Sequence, residues 1–137
     1  MIEGRVSMKR NMGVWIDHRK AVIVRMTDHA EEIQTILSDM EKHVRHPRGK
    51  PEDQEEHRYT NHLHEYYAKV IVSLHDADSI LILGPGEAKG ELKTLLENEA
   101  LGGRIAGIGT VDKMTDPQLA AEIRKYFSGK LENTQQI

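Results

Sequence analysis

The spacing of apolar residues changes twice along the chain. Two short β-rich runs, residues 12–16 and 21–26, flank the polar tetrad Asp17-His18-Arg19-Lys20, a pattern that predicts a hairpin. In Glu31–Leu37, Ile33, Thr35 and Leu37 alternate against Glu32, Gln34 and Ile36, so a third strand and an antiparallel meander are expected. Residues 40–54 have no period, and they carry Pro47, Gly49, Pro51 and many charges. They read as a loop, and its length favours a functional or mobile segment over a mere connection.

From about Glu52 to His75 the spacing becomes helical, with Tyr59, Leu63, Tyr66 or Tyr67, Val70 and Leu74 three and four apart, as in a long amphipathic helix. Residues 80–83 are a continuous aliphatic run, the mark of a strand buried on both faces, and lead into Gly84-Pro85-Gly86. A second helix follows, with Ala88, Leu92, Leu95 and Leu96 as its inner stripe and its end near Gly102-Gly103. Residues 104–111 predict a strand and 112–115 a loop, with Asp116-Pro117 as N-cap and first turn of a last helix over 117–127. Residues 130–137 are polar and expected to be a disordered tail. The order β-β-β-α-β-α-β-α, with the strands joined through helices running parallel, predicts an α/β fold of three layers around a mixed five-stranded sheet, the ribonuclease H-like architecture.

Length and composition narrow this further. A chain of 137 residues has room for one core. Only six aromatics occur, Trp15, Tyr59, Tyr66, Tyr67, Tyr126 and Phe127, so that core is aliphatic. Residues 2–5 read Ile-Glu-Gly-Arg, the recognition site of a protease used to remove tags, so residues 1–7 are set aside as a tag remnant and 8–129 taken as a single domain. The absence of cysteine excludes disulfide frameworks, thiolate nucleophiles and Cys-based metal sites, and makes the cytoplasm the expected location. No run approaches the ~20 apolar residues of a membrane span. A net charge of −3 is the wrong sign for coating nucleic acid by bulk charge, so any such contact must be local.

Three features invite chemistry. Gly84, Gly86 and Lys89 stand between a buried strand and a helix, where free backbone N–H groups and the helix dipole can hold an anion. Glu87 opposes this, and the spacing matches no nucleotide fingerprint; a tight turn with an acidic helix start is the simpler reading. Eight histidines, with His43, His46, His57, His62 and His64 close in sequence, invite a metal, but His62 and His64 point to different sides of a helix, and His57 and His64 lie too far apart for one ion. A solvated polar face is the expectation, with no metal and no cofactor. Asp17, Asp112 and Asp116 stand at expected strand ends, as in a metal-dependent hydrolase, yet Asp17 falls in the hairpin turn and Asp116 at a helix start. No catalytic residue is assigned. Lys42, Arg45, Arg48 and Lys50, interleaved with His43 and His46, form the most cationic stretch of the chain, followed by an acidic run at 52–56. They are able to contact phosphates.

The segments Val14-Trp15-Ile16-Asp17-His18-Arg19-Lys20-Ala21, Ile80-Leu81-Ile82-Leu83-Gly84-Pro85-Gly86-Glu87-Ala88-Lys89 and Asp112-Lys113-Met114-Thr115-Asp116-Pro117-Gln118-Leu119, with Tyr126-Phe127, resemble small bacterial proteins of the translational machinery component type. These in turn resemble the middle domain of archaeal and eukaryotic class-1 peptide-chain release factors. The resemblance covers most of residues 12–127. It implies that the loop before the long helix occupies the place of a release-factor loop whose Gly-Gly-Gln tripeptide enters the peptidyl-transferase centre. Here that loop reads His46-Pro47-Arg48-Gly49-Lys50-Pro51-Glu52-Asp53-Gln54. It has one glycine, and Gln54 lies beyond Pro51 and Glu52, so the resemblance does not extend to peptide release.

The expected function is a non-enzymatic protein that contacts RNA or the ribosome through Lys42, Arg45, His46, Arg48 and Lys50. The alternatives are an anion- or small-molecule-binding module at Gly84, Gly86 and Lys89, a homo-oligomer paired through an aliphatic helix face, and a metal-dependent hydrolase.

Overall fold

Five strands make one mixed sheet in the order β3-β2-β1-β4-β5: β1 (Asn11–Ile16), β2 (Lys20–Met26), β3 (Glu31–Leu37), β4 (Ser79–Gly84) and β5 (Ile105–Thr110). The structure is a computed structural model that describes residues 10–27, 30–38 and 52–136, with side-chain surroundings given in the helices for 62–128. Residues 1–7, set aside as a tag remnant, and 42–50, with all five RNA-contact residues, lie outside the described residues.

The meander is as expected. β1 pairs antiparallel with β2, and β2 antiparallel with β3. The helical crossovers then bring β4 in parallel beside β1, and β5 parallel beside β4. The runs 80–83 and 13–16 are apolar without alternation because central strands are covered on both sides. On one side α1 (Glu52–Leu74) and α2 (Ala88–Asn98) pack Tyr66, Val70, Leu74, Leu92 and Leu96 onto Val14, Ile16, Ile23, Ile80 and Ile82. On the other, α3 (Asp116–Gln136) sets Leu119, Ala120, Ile123 and Phe127 against Trp15, Val22, Val24, Leu81 and Leu83. The result is the three-layer, ribonuclease H-like α/β architecture read from the sequence.

Three local expectations are corrected. The second helix ends at Asn98, short of Gly102-Gly103. Ala100 adopts a left-handed conformation, with φ 65°, and the Leu101 N–H reaches back to the Leu96 carbonyl at 2.8 Å. This is a Schellman-type stop in which Leu96 and Leu101 are both buried. The last helix is capped by Thr115, not Asp116: the Gln118 N–H donates to Thr115 Oγ1 at 3.2 Å, and the Thr115 N–H donates to Gln118 Oε1 at 3.0 Å. Those reciprocal bonds are a capping box, available because a Gln stands three residues after the Thr. The same helix does not stop at Phe127. Its backbone runs on to Gln136, through residues read as a tail, where Lys130, Leu131 and Glu132 are compatible with a helix.

Candidate functional site

Strands β1, β3 and β4 run in the same direction, so their C-terminal ends share one end of the sheet. The residues that close this end are bound mainly to one another. Asp17 Oδ1 accepts the main-chain N–H groups of Arg19 at 2.8 Å and Lys20 at 2.9 Å, and the Asp17 N–H donates to the Lys20 carbonyl at 3.0 Å. The aspartate therefore serves the turn, as short acidic side chains do. Tyr66, from α1, donates its hydroxyl to the Asp17 carbonyl at 2.8 Å. Burial, and then the nearby Asp17 carboxylate, raise the Tyr66 phenol far above its ordinary pKa, keeping it protonated.

At the tip of the turn, His18 Nε2 lies 3.0 Å from Glu91 Oε1 on α2. The Tyr67 hydroxyl donates to the same carboxylate oxygen. One glutamate thus joins the hairpin turn, α1 and α2. The Tyr66 and Tyr67 rings stack beneath, with centroids 5.4 Å apart. Sequence reasoning missed Glu91 and Tyr67 as partners of His18. The three are far apart in the chain, and no local spacing announces the contact.

The anion-binding candidates fall at the adjacent corner. Gly84 is buried, and a Cβ there would come within 2.3 Å of the Ile16 carbonyl oxygen, so close approach of two backbones accounts for this glycine. Its own carbonyl accepts the Val111 N–H at 3.0 Å. Gly86 is exposed, with open space around it. Lys89 folds its ammonium onto the Gly86 carbonyl at 2.6 Å, closing the turn rather than projecting toward a ligand. The cation of this corner is already engaged by the Gly86 carbonyl.

The histidines disperse. His62 lies 3.8 Å from Glu65 on the same helix, His64 is exposed, and the His75 carbonyl accepts from Arg104 at 2.7 Å. His43, His46 and His57 fall outside the described side chains. Among the described residues, no group of three or more His, Asp or Glu is placed to hold a metal ion. Nor is any helix among them long and apolar enough to cross a membrane.

The last described residue before the basic stretch, Ser38, lies at this same end. Leu37, the last residue of β3, pairs with Lys20, and the Ser38 N–H donates to the Arg19 carbonyl at 2.9 Å. The chain resumes in α1 at Glu52. Lys42, Arg45, His46, Arg48 and Lys50 fall in the sequence between Ser38 and Glu52, outside the described residues.

The sequence matches no family model and no curated protein. Solved structures do share the fold. The Pelota protein of Thermoplasma acidophilum superposes with a TM-score of 0.58 at 15% identity, over 80% of this chain and 30% of that one. Pelota of Archaeoglobus fulgidus gives 0.55 at 13%, over 98% and 42%. The archaeal translation termination factor aRF1 gives 0.51 at 14%, over 93% and 41%. The chain spans less than half the length of each. At these identities the likeness is one of fold, and it agrees with the release-factor-like domain expected from the sequence.

Proposed function

We propose that the protein is a non-enzymatic, translation-related protein of the cytoplasm, a stand-alone counterpart of a release-factor domain of the translational machinery component type. It contacts RNA or the ribosome through Lys42, Arg45, His46, Arg48 and Lys50. The observation that carries this reading is the fold shared with a translation termination factor, taken together with the position of the basic stretch in the sequence between β3 and α1. Four Lys and Arg side chains on one short segment suit phosphate contact, while a chain of net charge −3 leaves the rest of the surface unsuited to it. Such contacts position without reading sequence, and they weaken as salt rises. Peptide release is not part of the proposal, because the segment lacks the Gly-Gly-Gln tripeptide.

Cosedimentation with ribosomes in low salt tests it. The chain should pellet with ribosomes, and the triple change Arg45→Ala, Arg48→Ala and Lys50→Ala should reduce the bound fraction. Equal binding by the triple variant would overturn the assignment of the segment. Anion binding at Gly84, Gly86 and Lys89 is the weaker reading, since Lys89 already caps the Gly86 carbonyl. A thermal-shift screen with phosphorylated metabolites would reveal it, a ligand at 100 times its dissociation constant adding ~2.7 kcal/mol.

A further inference from the structure

The two edges of the sheet differ. At β5, Ala106 is an extra residue in the pairing with β4, between Ile105 and Gly107, and its carbonyl accepts the Tyr126 hydroxyl at 2.9 Å. A bulge and two glycines, Gly107 and Gly109, blunt that edge. At the other edge, β3 runs for seven residues, Glu-Glu-Ile-Gln-Thr-Ile-Leu, with no proline, glycine or lysine, and it pairs with β2 at every position. The Ser38 N–H to Arg19 carbonyl bond and the Thr27 N–H to Ala30 carbonyl bond fix the phase of the ladder. Even-numbered residues of β3 turn their main-chain groups toward β2, and Glu31, Ile33, Thr35 and Leu37 turn theirs to the open side.

Large apolar side chains line this edge. Ile33 is 42% exposed, Leu37 61%, and Val72 of α1 73%. Gln34, Ile36, Ala68, Lys69, Val72 and Ser73 form a groove between β3 and α1. Arg25, across the ladder from Glu32, directs its guanidinium to Gln34 Oε1 at 2.9 Å and the Ser73 carbonyl at 3.1 Å. Among the described residues, neither Glu32 nor Lys69 has an ion-pair partner.

We propose that this edge is a self-association surface, on which the β3 of a second copy adds antiparallel around a two-fold axis at Gln34. That register sets Glu31 opposite Leu37 and Ile33 opposite Thr35, so the outward main-chain groups of all four residues meet their counterparts. It separates the acidic ends of the two strands. It also places Glu32 of each copy across from Ile36 of the other, beside the Lys69 that shares the groove with that Ile36, so the two charges lacking partners become reciprocal pairs. Ile33 and Leu37 line one face of the seam, and Val72 lines the other beside the groove. This surface is distinct from the segment 42–50 and does not depend on the function proposed for it.

Sedimentation of the full chain over a concentration series tests the proposal. The mass should rise with concentration from the 15.6 kDa of one copy toward twice that. Thr35→Pro removes an N–H that faces the open edge and leaves the β2 ladder intact, so it should give a single-copy mass with an unchanged circular dichroism spectrum. Lys69→Glu should weaken association by about tenfold, since the reversal acts twice in a two-fold dimer. Combining it with Glu32→Lys should restore association to near the original strength. The charge swap decides the matter even if the proline variant fails to fold. A single-copy mass up to millimolar concentration, or a dimer indifferent to the charge reversal and not rescued by the swap, would overturn the proposal, as would a β3 edge that binds a strand of another protein but not its own copy.

Discussion

The hydroxyl of Tyr66 and the main-chain carbonyl of Asp17, 2.8 Å apart, tie the middle of α1 to the turn that closes the first hairpin. Tyr66 is almost fully buried, so removing its hydroxyl leaves the carbonyl without this donor. Tyr66→Phe should cost about 1–2 kcal/mol in urea unfolding, with little change in the far-ultraviolet spectrum.

The same phenol gives a pH dependence with a definite sign. Its folded pKa is raised above the ordinary value of 10.0, first by burial and then by the Asp17 carboxylate. Above pH 10 the unfolded chain releases this proton while the folded chain keeps it. The associated stability is full below pH 10 and declines as pH rises above it. Unfolding free energies measured from pH 8 to 11 should fall at the alkaline end, and the fall should be shallower in Tyr66→Phe.

The capping box at Thr115 predicts a second effect. Thr115→Ala removes the acceptor for the Gln118 N–H and should cost about 1 kcal/mol, whereas Thr115→Ser should be nearly neutral. Asp116→Ala should have the smaller effect of the two alanine changes, because Asp116 is the first helical residue and not the cap. Paired thermal melts separate the two assignments.

Ala100 offers a stabilising change. An L-residue at φ 65° carries a steric cost that glycine avoids, though glycine also raises the entropy of the unfolded chain. The balance favours glycine at this position after a helix. Ala100→Gly should gain about 0.5 kcal/mol and raise the melting temperature by a few degrees.

The architecture was legible because the signals that carry it are long. The unbroken run Ile80, Leu81, Ile82 and Leu83 announces a strand covered on both faces, and Ala88, Leu92 and Leu96, spaced by four, announce the helix face that covers it. Helix ends were harder. Thr115 and Asp116 are both good caps and Pro117 favours the second, but the Thr-x-x-Gln spacing to Gln118, a capping-box signature, decides for Thr115 through the reciprocal bonds. Ala100 shows the same difficulty, because glycines at 102 and 103 point to a stop that the chain makes earlier with an alanine. The cluster of His18, Glu91 and Tyr67 was not legible at all. His18 and Glu91 are separated by 73 positions and meet only because β1 and β4 lie side by side. Lys89 was legible as a first-turn cation, but not the direction of its ammonium.

The salt dependence of ribosome binding tests the central claim most directly. Each phosphate contact contributes roughly 0.7–0.9 to the slope of log affinity against log salt concentration. Removing three of them with Arg45→Ala, Arg48→Ala and Lys50→Ala should therefore lower the magnitude of that slope by about 2–3, along with the affinity at low salt. A triple variant that binds with the same slope and affinity as the unaltered chain, or an unaltered chain that does not bind ribosomes at low salt, would contradict the account.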